Sequence, residues 1–354
     1  MFSPEYIITN KTLSNLIGIE VAGKVISLAP LQTEWEGRLR QEALIKNIFS
    51  LARFVGNALS IDDVAKIVKD EPSRDDKAGV VASRIGVIGK EKDIQQILNL
   101  LNATRLVEQL AYLAGKFKQG DFGEKDLSQI HLLMGERLME PKDMGKFRDH
   151  VEVPFQIEDL FGWYKNVGKN EIHPVNKAGV MFYELQRINP FQDNNLSTAL
   201  LFFQLTLLTE GYGLKRIWSF NEEVLKSADV FKISFDSVER NGGALTVWLE
   251  FLTRCLSDSA EKAQTKVLNL VGEAPIFKSD GGKAISLTER QIVIMEEMTL
   301  KNEMTIKEIR SILPMVSDDT ILRDLKGLID KKLLRKKGKT KGALYVIGKI
   351  RSYR

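Results

Sequence analysis

Residues 188–202 read INPFQDNNLSTALLF, and this stretch decides the fold because it joins a dense turn to a strongly apolar run. The turn combines one Pro, one Asp and three Asn, all of which favour tight turns. The run that follows is apolar on nearly every side, which is typical of a helix at the centre of a core. A turn that opens a buried helix is a common form of phosphate-binding loop. This turn, however, contains no glycine and no Lys or Arg.

The sequence on both sides of this stretch predicts a mainly helical domain. Directly before the turn, HPVNKAGVMFYELQRI places Ala178, Met181, Phe182, Leu185 and Ile188 on one helical face. Further helices are predicted from periodicity and from N-cap residues such as Ser60. They cover TEWEGRLRQEALIKNIFSLAR (33–53), SIDDVAKIVKD (60–70), KEKDIQQILNLLNATRLVEQLAYLAGKF (90–117) and, after a turn, the end of KQGDFGEKDLSQIHLLMGERLM (118–139).

Composition limits the classes of protein that the chain can represent. Its 354 residues, 44% hydrophobic and 28% charged, predict two or three globular domains. The single cysteine, Cys255, excludes a disulfide framework, and three scattered histidines disfavour a metal site. The N-terminal stretch lacks a secretory signal pattern, and the longest apolar run is too short to span a bilayer. We therefore expect a cytoplasmic protein with no membrane contact.

Basic charge concentrates at the C-terminal end. Residues 288–354 hold 16 Lys and Arg against 9 Asp and Glu, a net charge of +7, and from Lys331 onward there are 10 basic residues and no acidic one. Such a distribution is typical of a chain that contacts a polyanion, although a solvated tail would show the same charge.

Residues 286–354 predict a winged helix-turn-helix domain: three helices followed by a hairpin with RKKGKTKG at its tip. The third helix is expected to bury Ile321, Leu322, Leu325, Leu328 and Ile329. Its outward residues would then be Thr320, Arg323 and Lys326, with Lys336, Lys337, Lys339 and Lys341 in the wing. These seven residues are our candidates for binding double-stranded DNA. Asp318 and Asp319 disfavour direct DNA contact, so a winged helix that binds another protein stays open.

The central segment HPVNKAGVMFYELQRINPFQDNN resembles the core of the Fic (Fic/DOC, Fido-fold) family, in which a helix leads into the motif HPFx[DE]GNGRxxR. GKFRDHVEVPF, with Gly145, Phe147 and Arg148, resembles the flap of the family, which we expect as a small β-hairpin. FVGN, with Val55, Gly56 and Asn57, resembles its N-terminal inhibitory segment. The resemblance implies a Fido-type helical core with a hairpin flap, followed by the winged helix.

The resemblance implies AMP transfer from ATP and Mg²⁺ to a protein hydroxyl, but the motif here is degenerate. Pro190, Phe191, Asp193 and Asn195 match it, and the acid would hold Mg²⁺. The other motif positions are changed: Asn189 stands for the general-base His, Asn194 and Leu196 for the two glycines, and Ser197 and Leu200 for the two arginines. Losing a general base typically costs ~10² to 10⁴ in rate.

Other residues do not replace the lost groups. Val55 stands where the inhibitory Glu of the family sits, so that Glu and its motif Arg are both absent. His173 lies at the start of the helix that precedes the loop and is expected to cap that helix. His131 is expected to be structural.

We expect an N-terminal helical region at 1–100, a Fic-like core at 101–258, a linker at 259–285 and the winged helix at 286–354. The leading hypothesis is a non-catalytic, DNA-binding regulator that requires no cofactor. The alternatives are residual or altered AMP transfer with ATP and Mg²⁺ at Asp193, and a sensor that binds a small ligand or a protein at the former cleft. The resemblance also implies a homodimer.

Overall fold

The computed structural model describes residues 2–117, 122–168, 171–273, 287–313, 316–338 and 343–348. The chain divides into a larger unit, residues 1–29 with 38–266, and a smaller unit, residues 30–37 with 267–354. The residues at 118–121, at 274–286 and at the wing tip, 339–342, lie outside the described parts.

Helices α1 to α12 account for nearly all regular structure up to residue 273. They are α1 Asn10–Leu28, α2 Thr33–Phe54, α3 Ile61–Lys69, α4 Ala78–Ile85, α5 Glu91–Phe117, α6 Glu124–Gly135, α7 Glu152–Asn166, α8 Pro174–Ile188, α9 Asn195–Thr209, α10 Phe220–Lys226, α11 Ala228–Arg240 and α12 Thr246–Glu273, with a short 3-10 turn at Leu214–Arg216 between α9 and α10. The predicted starts of α2, α3, α5 and α8 agree with the structure, and the Ser60 hydroxyl caps α3 by accepting from the Asp63 amide at 3.2 Å.

Helices α8 and α9 form the centre of the larger unit, as their apolar sequences predict. Phe182 of α8 and Phe202 and Phe203 of α9 are fully buried, and both helices belong to one continuous hydrophobic core. That core also contains residues of α1 to α5. The predicted N-terminal region and the Fic-like core therefore share one interior.

Helix α12 packs closely against α8 at Gly179. A Cβ atom at that position would lie 2.7 Å from Leu252 and 2.8 Å from Leu249. The indole Nε1 of Trp248, which is fully buried, donates a hydrogen bond of 2.9 Å to the Gly179 carbonyl. A glycine in mid-helix thus allows the close approach, and the buried indole N–H finds an acceptor.

Two expected boundaries and the expected hairpin are wrong. A domain boundary at residue 100 falls inside the continuous helix α5, and the linker expected from residue 259 is helical as far as Glu273. The segment at 145–155 forms no hairpin: it is irregular up to the start of α7 at Glu152. Alternating apolar residues suggested strands, but Val151 and Phe155 are exposed, so no sheet partner covers them.

The smaller unit contains a compact α/β arrangement at residues 289–347. Its elements are α13 Glu289–Lys301, β1 Glu303–Thr305, α14 Ile306–Ile312, α15 Asp318–Asp330, β2 Leu334–Lys337 and β3 Leu344–Ile347. The strands form an antiparallel sheet in the order β1-β3-β2, with Met304 and Lys336 both opposite Tyr345. The three helices and the β2–β3 pair were predicted, whereas β1 was missed because three residues are too short for a period-2 pattern.

Helix α15 buries three of its five predicted residues, and a fourth, Ile329, is half-buried. Ile321, Leu325 and Leu328 are in the core, but Leu322 is 43% exposed. Its place is taken by Asp324, which is buried and paired with Arg290 through Nε at 2.6 Å. Apolarity alone cannot reveal a buried ion pair.

Within the described residues, no helix combines the length and the apolarity that crossing a bilayer requires.

Replacing Trp248 by Ala is expected to lower the free energy of unfolding by ~3–5 kcal/mol, because it opens a cavity in the core. Trp248→Phe keeps most of the volume but removes the hydrogen bond to the Gly179 carbonyl, at a cost of ~0.5–1.5 kcal/mol for that bond. Urea denaturation measures both. Tyr112→Ala, at a side chain that is 62% exposed, is the matched control and should change stability little. Equal effects of Trp248→Ala and Tyr112→Ala would contradict this packing.

Candidate functional site

The loop between α8 and α9 is turned at both ends by asparagines in the left-handed conformation. Asn189 follows α8 with φ of 51°, and its amide donates to the Leu185 carbonyl at 3.1 Å. Asn194 precedes α9 with φ of 56°. Asparagine visits this region more readily than most residues with a Cβ atom, so Asn194 can take the place of a glycine in this turn. Leu196 lies inside α9 and is not in the left-handed region.

The loop satisfies several of its own polar groups. The Asn195 side chain accepts from the Phe191 amide at 2.8 Å and donates to the Phe191 carbonyl at 2.9 Å. The Asp193 carboxylate accepts from the Asn194 amide at 2.7 Å. Two backbone N–H groups of the loop are therefore already engaged by side chains of the loop itself.

The side chain of His131, in α6, packs against the loop and is hydrogen-bonded to it. Its ring is fully buried and stacks on Phe191, with ring centroids 3.8 Å apart. Its Nδ1 accepts from the Gly145 amide at 2.9 Å, so in the neutral ring Nε2 carries the proton and donates to the Asp193 carbonyl at 3.1 Å. Burial lowers the pKa of His131, which favours this neutral form. The residue is structural, as expected, and it joins the loop to the flap segment.

The flap segment is fixed to the loop by Arg148. Its guanidinium donates to the carbonyls of Asn189 at 2.8 Å and Ile188 at 3.1 Å, and its backbone amide donates to the Pro190 carbonyl at 2.8 Å. These carbonyls lie at the C-terminal end of α8, where a cation is also favoured by the helix dipole. Phe147 packs near Phe191, with centroids 5.3 Å apart. The flap residues Gly145, Phe147 and Arg148 thus lie at the motif loop, without a hairpin.

The motif positions differ in exposure. Asn189 and Asp193 are exposed, Pro190 and Phe191 are buried, and Asn194, Asn195 and Leu196 are half-buried. Ser197 and Leu200, which stand at the two arginine positions, are 1% and 2% exposed. The loop therefore offers an amide and a carboxylate to solvent, while the former cation positions point into the protein.

Asp193 is the single motif residue suited to a divalent cation. Its exposed carboxylate could supply one oxygen to Mg²⁺, which usually takes the remainder from water and substrate phosphates. Among the described residues, no group of three His, Cys, Asp or Glu side chains is arranged to hold a metal ion.

The segment at 55–57 is tied to α5. Asn57 is buried and donates from Nδ2 to the Asp93 carbonyl at 2.9 Å and to the Gln96 side chain at 2.7 Å. Gly56 has φ of 90°, and Val55 is 38% exposed. Residues 55–57 therefore form the turn between α2 and α3.

His173 caps α8, as expected. Its Nδ1 accepts from the Val175 amide at 3.3 Å, and its Nε2 lies 3.4 Å from both Glu20 and the Tyr212 hydroxyl. A helix of 15 residues separates it from the loop, about 22 Å of axis, so it cannot serve as the missing base.

Two cavities of the larger unit lie away from the motif loop. One, of about 700 Å³, lies between α2, α10 and α12, where Lys46, Lys226, Lys262 and Lys266 form ion pairs with glutamates. The other, of about 380 Å³, lies between α1 and residues 210–215. Neither contributes to the site at Asn189.

The smaller unit presents part of the predicted DNA-binding set. Arg323 and Lys326 of α15 and Lys336 and Lys337 of β2 are exposed, whereas Thr320 is half-buried. Lys339 and Lys341 lie outside the described residues. Asp318, which seemed to oppose DNA contact, forms an ion pair with Arg310.

Comparison with known proteins identifies the class of the larger unit. Residues 121–207 match the family model described as Fic/DOC family. A Fic family protein from Desulfovibrio desulfuricans G20 has a similar fold, with a TM-score of 0.65 and 16% identity over 100% of both chains. A Fic domain containing signaling protein from Bacteroides thetaiotaomicron gives a TM-score of 0.57 at 16% identity, over 73% of this chain and 98% of that one. Residues 121–207 therefore match the Fic/DOC family, and the chain shares the fold of Fic family proteins.

Curated relatives are distant. The Protein adenylyltransferase Fic of Drosophila grimshawi is 23% identical over 189 residues, which is 49% of this chain and 35% of that protein. The protein of the same name from Drosophila mojavensis is 23% identical over 49% of this chain and 34% of that protein. The chain thus matches about a third of the length of these relatives.

Replacing His131 by Phe is expected to reduce the loss of stability in acid. The folded-state pKa of His131 is lowered, so the unfolded chain binds protons more readily, and the folded state loses stability as pH falls through about 6.5. Its contribution is fully present above that range. His131→Phe removes this titration and two hydrogen bonds, so the variant should be less stable at pH 7.5 by ~1–3 kcal/mol but lose less between pH 7.5 and 5.5.

Urea denaturation at the two pH values measures this difference. The matched control is His150→Phe, at an exposed position, which should keep the acid loss of the native chain. His173, whose pKa is also lowered by burial, remains in both variants, so a reduced rather than abolished pH dependence is expected. An unchanged pH dependence in His131→Phe would contradict the buried neutral ring.

Proposed function

We propose that this chain is a Fic-fold regulator that does not transfer AMP and that acts by binding double-stranded DNA through its smaller unit. One observation supports the proposed absence of AMP transfer. Asn189 occupies the position of the general base, and Arg148 binds its carbonyl. An amide nitrogen has no usable basic lone pair near neutral pH. Asn189 therefore cannot remove a proton from a target hydroxyl.

The phosphate-binding side of the loop supports the same proposal. Ser197 and Leu200 are buried in α9, so neither position holds a cation that could neutralise a triphosphate. The amides of Phe191 and Asn194 already donate to Asn195 and Asp193. A bound phosphate would have to displace these bonds and would gain little charge compensation in return.

The proposed DNA binding rests on the charge and the order of helices and strands in the smaller unit. A helix–strand–helix–helix–strand–strand order with a three-stranded antiparallel sheet suits a winged helix, in which the third helix can enter the major groove. Arg323 and Lys326 on α15 and Arg335, Lys336 and Lys337 on β2 offer five exposed cations to a polyanion. The pairing of Asp318 with Arg310 reduces the repulsion that this carboxylate would exert on phosphates.

Binding to random-sequence duplex DNA is expected to weaken steeply as salt rises, because Lys and Arg contacts release counterions. Changing Lys336 and Lys337 to Ala should lower the slope of log K against log salt by about 2, one for each phosphate contact. Fluorescence anisotropy at several salt concentrations measures the slopes. Lys92→Ala with Lys125→Ala, two exposed cations of the larger unit, is the charge-matched control and should leave the slope unchanged.

DNA affinity that is equal in both double variants would contradict binding through the wing. No affinity for duplex DNA at low salt would instead favour a winged helix that contacts another protein.

The alternative function is protein adenylyltransferase activity, which is favoured by the names of the two Drosophila relatives and by the exposed carboxylate of Asp193. It requires ATP and Mg²⁺, and a base that replaces the motif His.

The native chain is expected to transfer no labelled AMP from ATP and Mg²⁺ to itself or to proteins of a cell lysate. Asn189→His restores the base position but not the phosphate cations, so transfer should stay at background in this variant too. Labelling by the native chain that disappears in Asp193→Ala would overturn the proposal in favour of the transferase. Gln192→Ala, at an exposed position of the same loop, controls for general damage to the loop.

A further inference from the structure

Helix α15 presents one exposed face that combines an acid, an apolar residue and two cations. Asp319, Leu322, Arg323 and Lys326 are all exposed. Their spacing, i, i+3, i+4 and i+7, places them on the same side of the helix. Leu322 is the apolar member and is 43% exposed. A face that only followed phosphates would gain nothing from an acid or from an apolar side chain, so these two residues indicate a more selective contact.

The two acids at the start of α15 differ in their partners. Asp318 forms an ion pair with Arg310. Within the described residues, the Asp319 carboxylate has neither an ion pair nor a side-chain hydrogen bond. The same holds there for the guanidinium of Arg323, although it lies one helical turn from Asp319. Both groups therefore keep their hydrogen-bonding capacity for a partner outside the chain.

The opposite side of α15 fixes this face outward. Ile321, Leu325 and Leu328 are at most 1% exposed and belong to the core of the smaller unit. Asp324 is buried as well, and it accepts from Arg290 Nε at 2.6 Å. Rotating the helix would break this pair and expose the apolar residues. The side that carries Asp319 is thus a fixed surface of the smaller unit.

We infer that this face reads base edges in the major groove and selects a short DNA sequence. Asp319 accepts a hydrogen bond from the amino group of a cytosine, and Arg323 donates two to O6 and N7 of a guanine. Leu322 contacts the methyl group of a thymine. The inference rests on the proposed function, because it requires that the smaller unit binds duplex DNA.

The dimensions of the helix predict a core of three base pairs. Asp319 and Arg323 lie about 6 Å apart along the helix axis, close to two steps of 3.4 Å between base pairs. Leu322 lies between them along the axis. The expected core therefore has the cytosine and the guanine at its ends and the thymine in the middle. Lys326 lies about 4.5 Å beyond Arg323, where it suits a phosphate contact.

The negative charge of Asp319 contributes selectivity rather than affinity. Its repulsion from phosphates is offset by Arg323 and Lys326 on the same face and by Lys336 and Lys337 on β2. A cytosine amino group satisfies the carboxylate, whereas a guanine or a thymine would place acceptor oxygens against it. The wrong base is therefore rejected by an unpaired charge, which is an effective form of discrimination.

Selection of bound fragments from random duplex DNA by the full chain is expected to recover this core. Changing its cytosine to thymine should weaken binding of the native chain about 5- to 150-fold, measured by fluorescence anisotropy. Asp319→Asn should replace the preference for cytosine by one for adenine at that position alone, because an amide pairs with N6 and N7 of adenine. Leu322→Ala should lose only the preference for thymine.

Two variants are matched controls. Asp330→Asn makes the same change at an exposed position at the other end of α15 and should recover the native core. Asp319→Glu retains a carboxylate and should keep the preference for cytosine. A purely structural role of Asp319 would change affinity for all sequences alike, so a change of preferred base at one position separates the two roles.

Tight binding of duplex DNA without any enriched sequence would overturn this inference and leave the proposed DNA binding in place. An enriched core that Asp319→Asn does not change would do the same. No affinity for any duplex at low salt would overturn both the inference and the proposed DNA binding.

Discussion

The two hydrogen bonds between the Asn195 side chain and the backbone of Phe191 are the constraint on which the motif loop depends. They close residues 191–195 into a compact turn and hold the Phe191 ring in the core. His131 stacks on that ring and joins it to Gly145, and Arg148 then binds the end of α8. Loop, flap and three helices are therefore held by one connected set of contacts rather than by separate ones. Such a network is stable when every member is paired and costly when one is lost.

This arrangement separates the residues that maintain the fold from those that the family motif uses for chemistry. Pro190, Phe191 and Asn195 match the motif, and all three position the loop. The changed positions are of two kinds. Asn189 and Asn194 are left-handed turn residues that preserve the backbone path, and the other three, Leu196, Ser197 and Leu200, lie in α9, the last two of them buried. The loop therefore keeps its conformation without the imidazole, glycines and guanidinium groups of the motif.

Much of the helical core could be predicted from sequence, because α2, α5 and α8 carry 3.6-residue patterns and α9 is apolar on nearly every side. The partners of His131 and Arg148 could not, because they are backbone groups 62 and 41 residues away in the chain. The false hairpin at 145–155 arose from alternating apolar residues whose exposure depends on tertiary contacts. The exposure of Leu322 was missed for a similar reason, since a buried Asp324 paired with Arg290 fills part of the expected apolar face. Local patterns predict elements well, but they do not reveal which polar groups will find a partner across the fold.

The burial of Ser197 and Leu200 has a consequence for the evolutionary history that is open to such a loop. Placing arginine at either position would first force a long cation into the packed interior between α5, α8 and α9, at a cost in stability. Any gain in phosphate affinity would come only after the surrounding helices had repacked to let the guanidinium reach the loop. A return to a cationic loop by single substitutions would therefore pass through chains that are less stable and no more active. Once small and apolar residues fill these positions, the path is far easier in one direction than in the other.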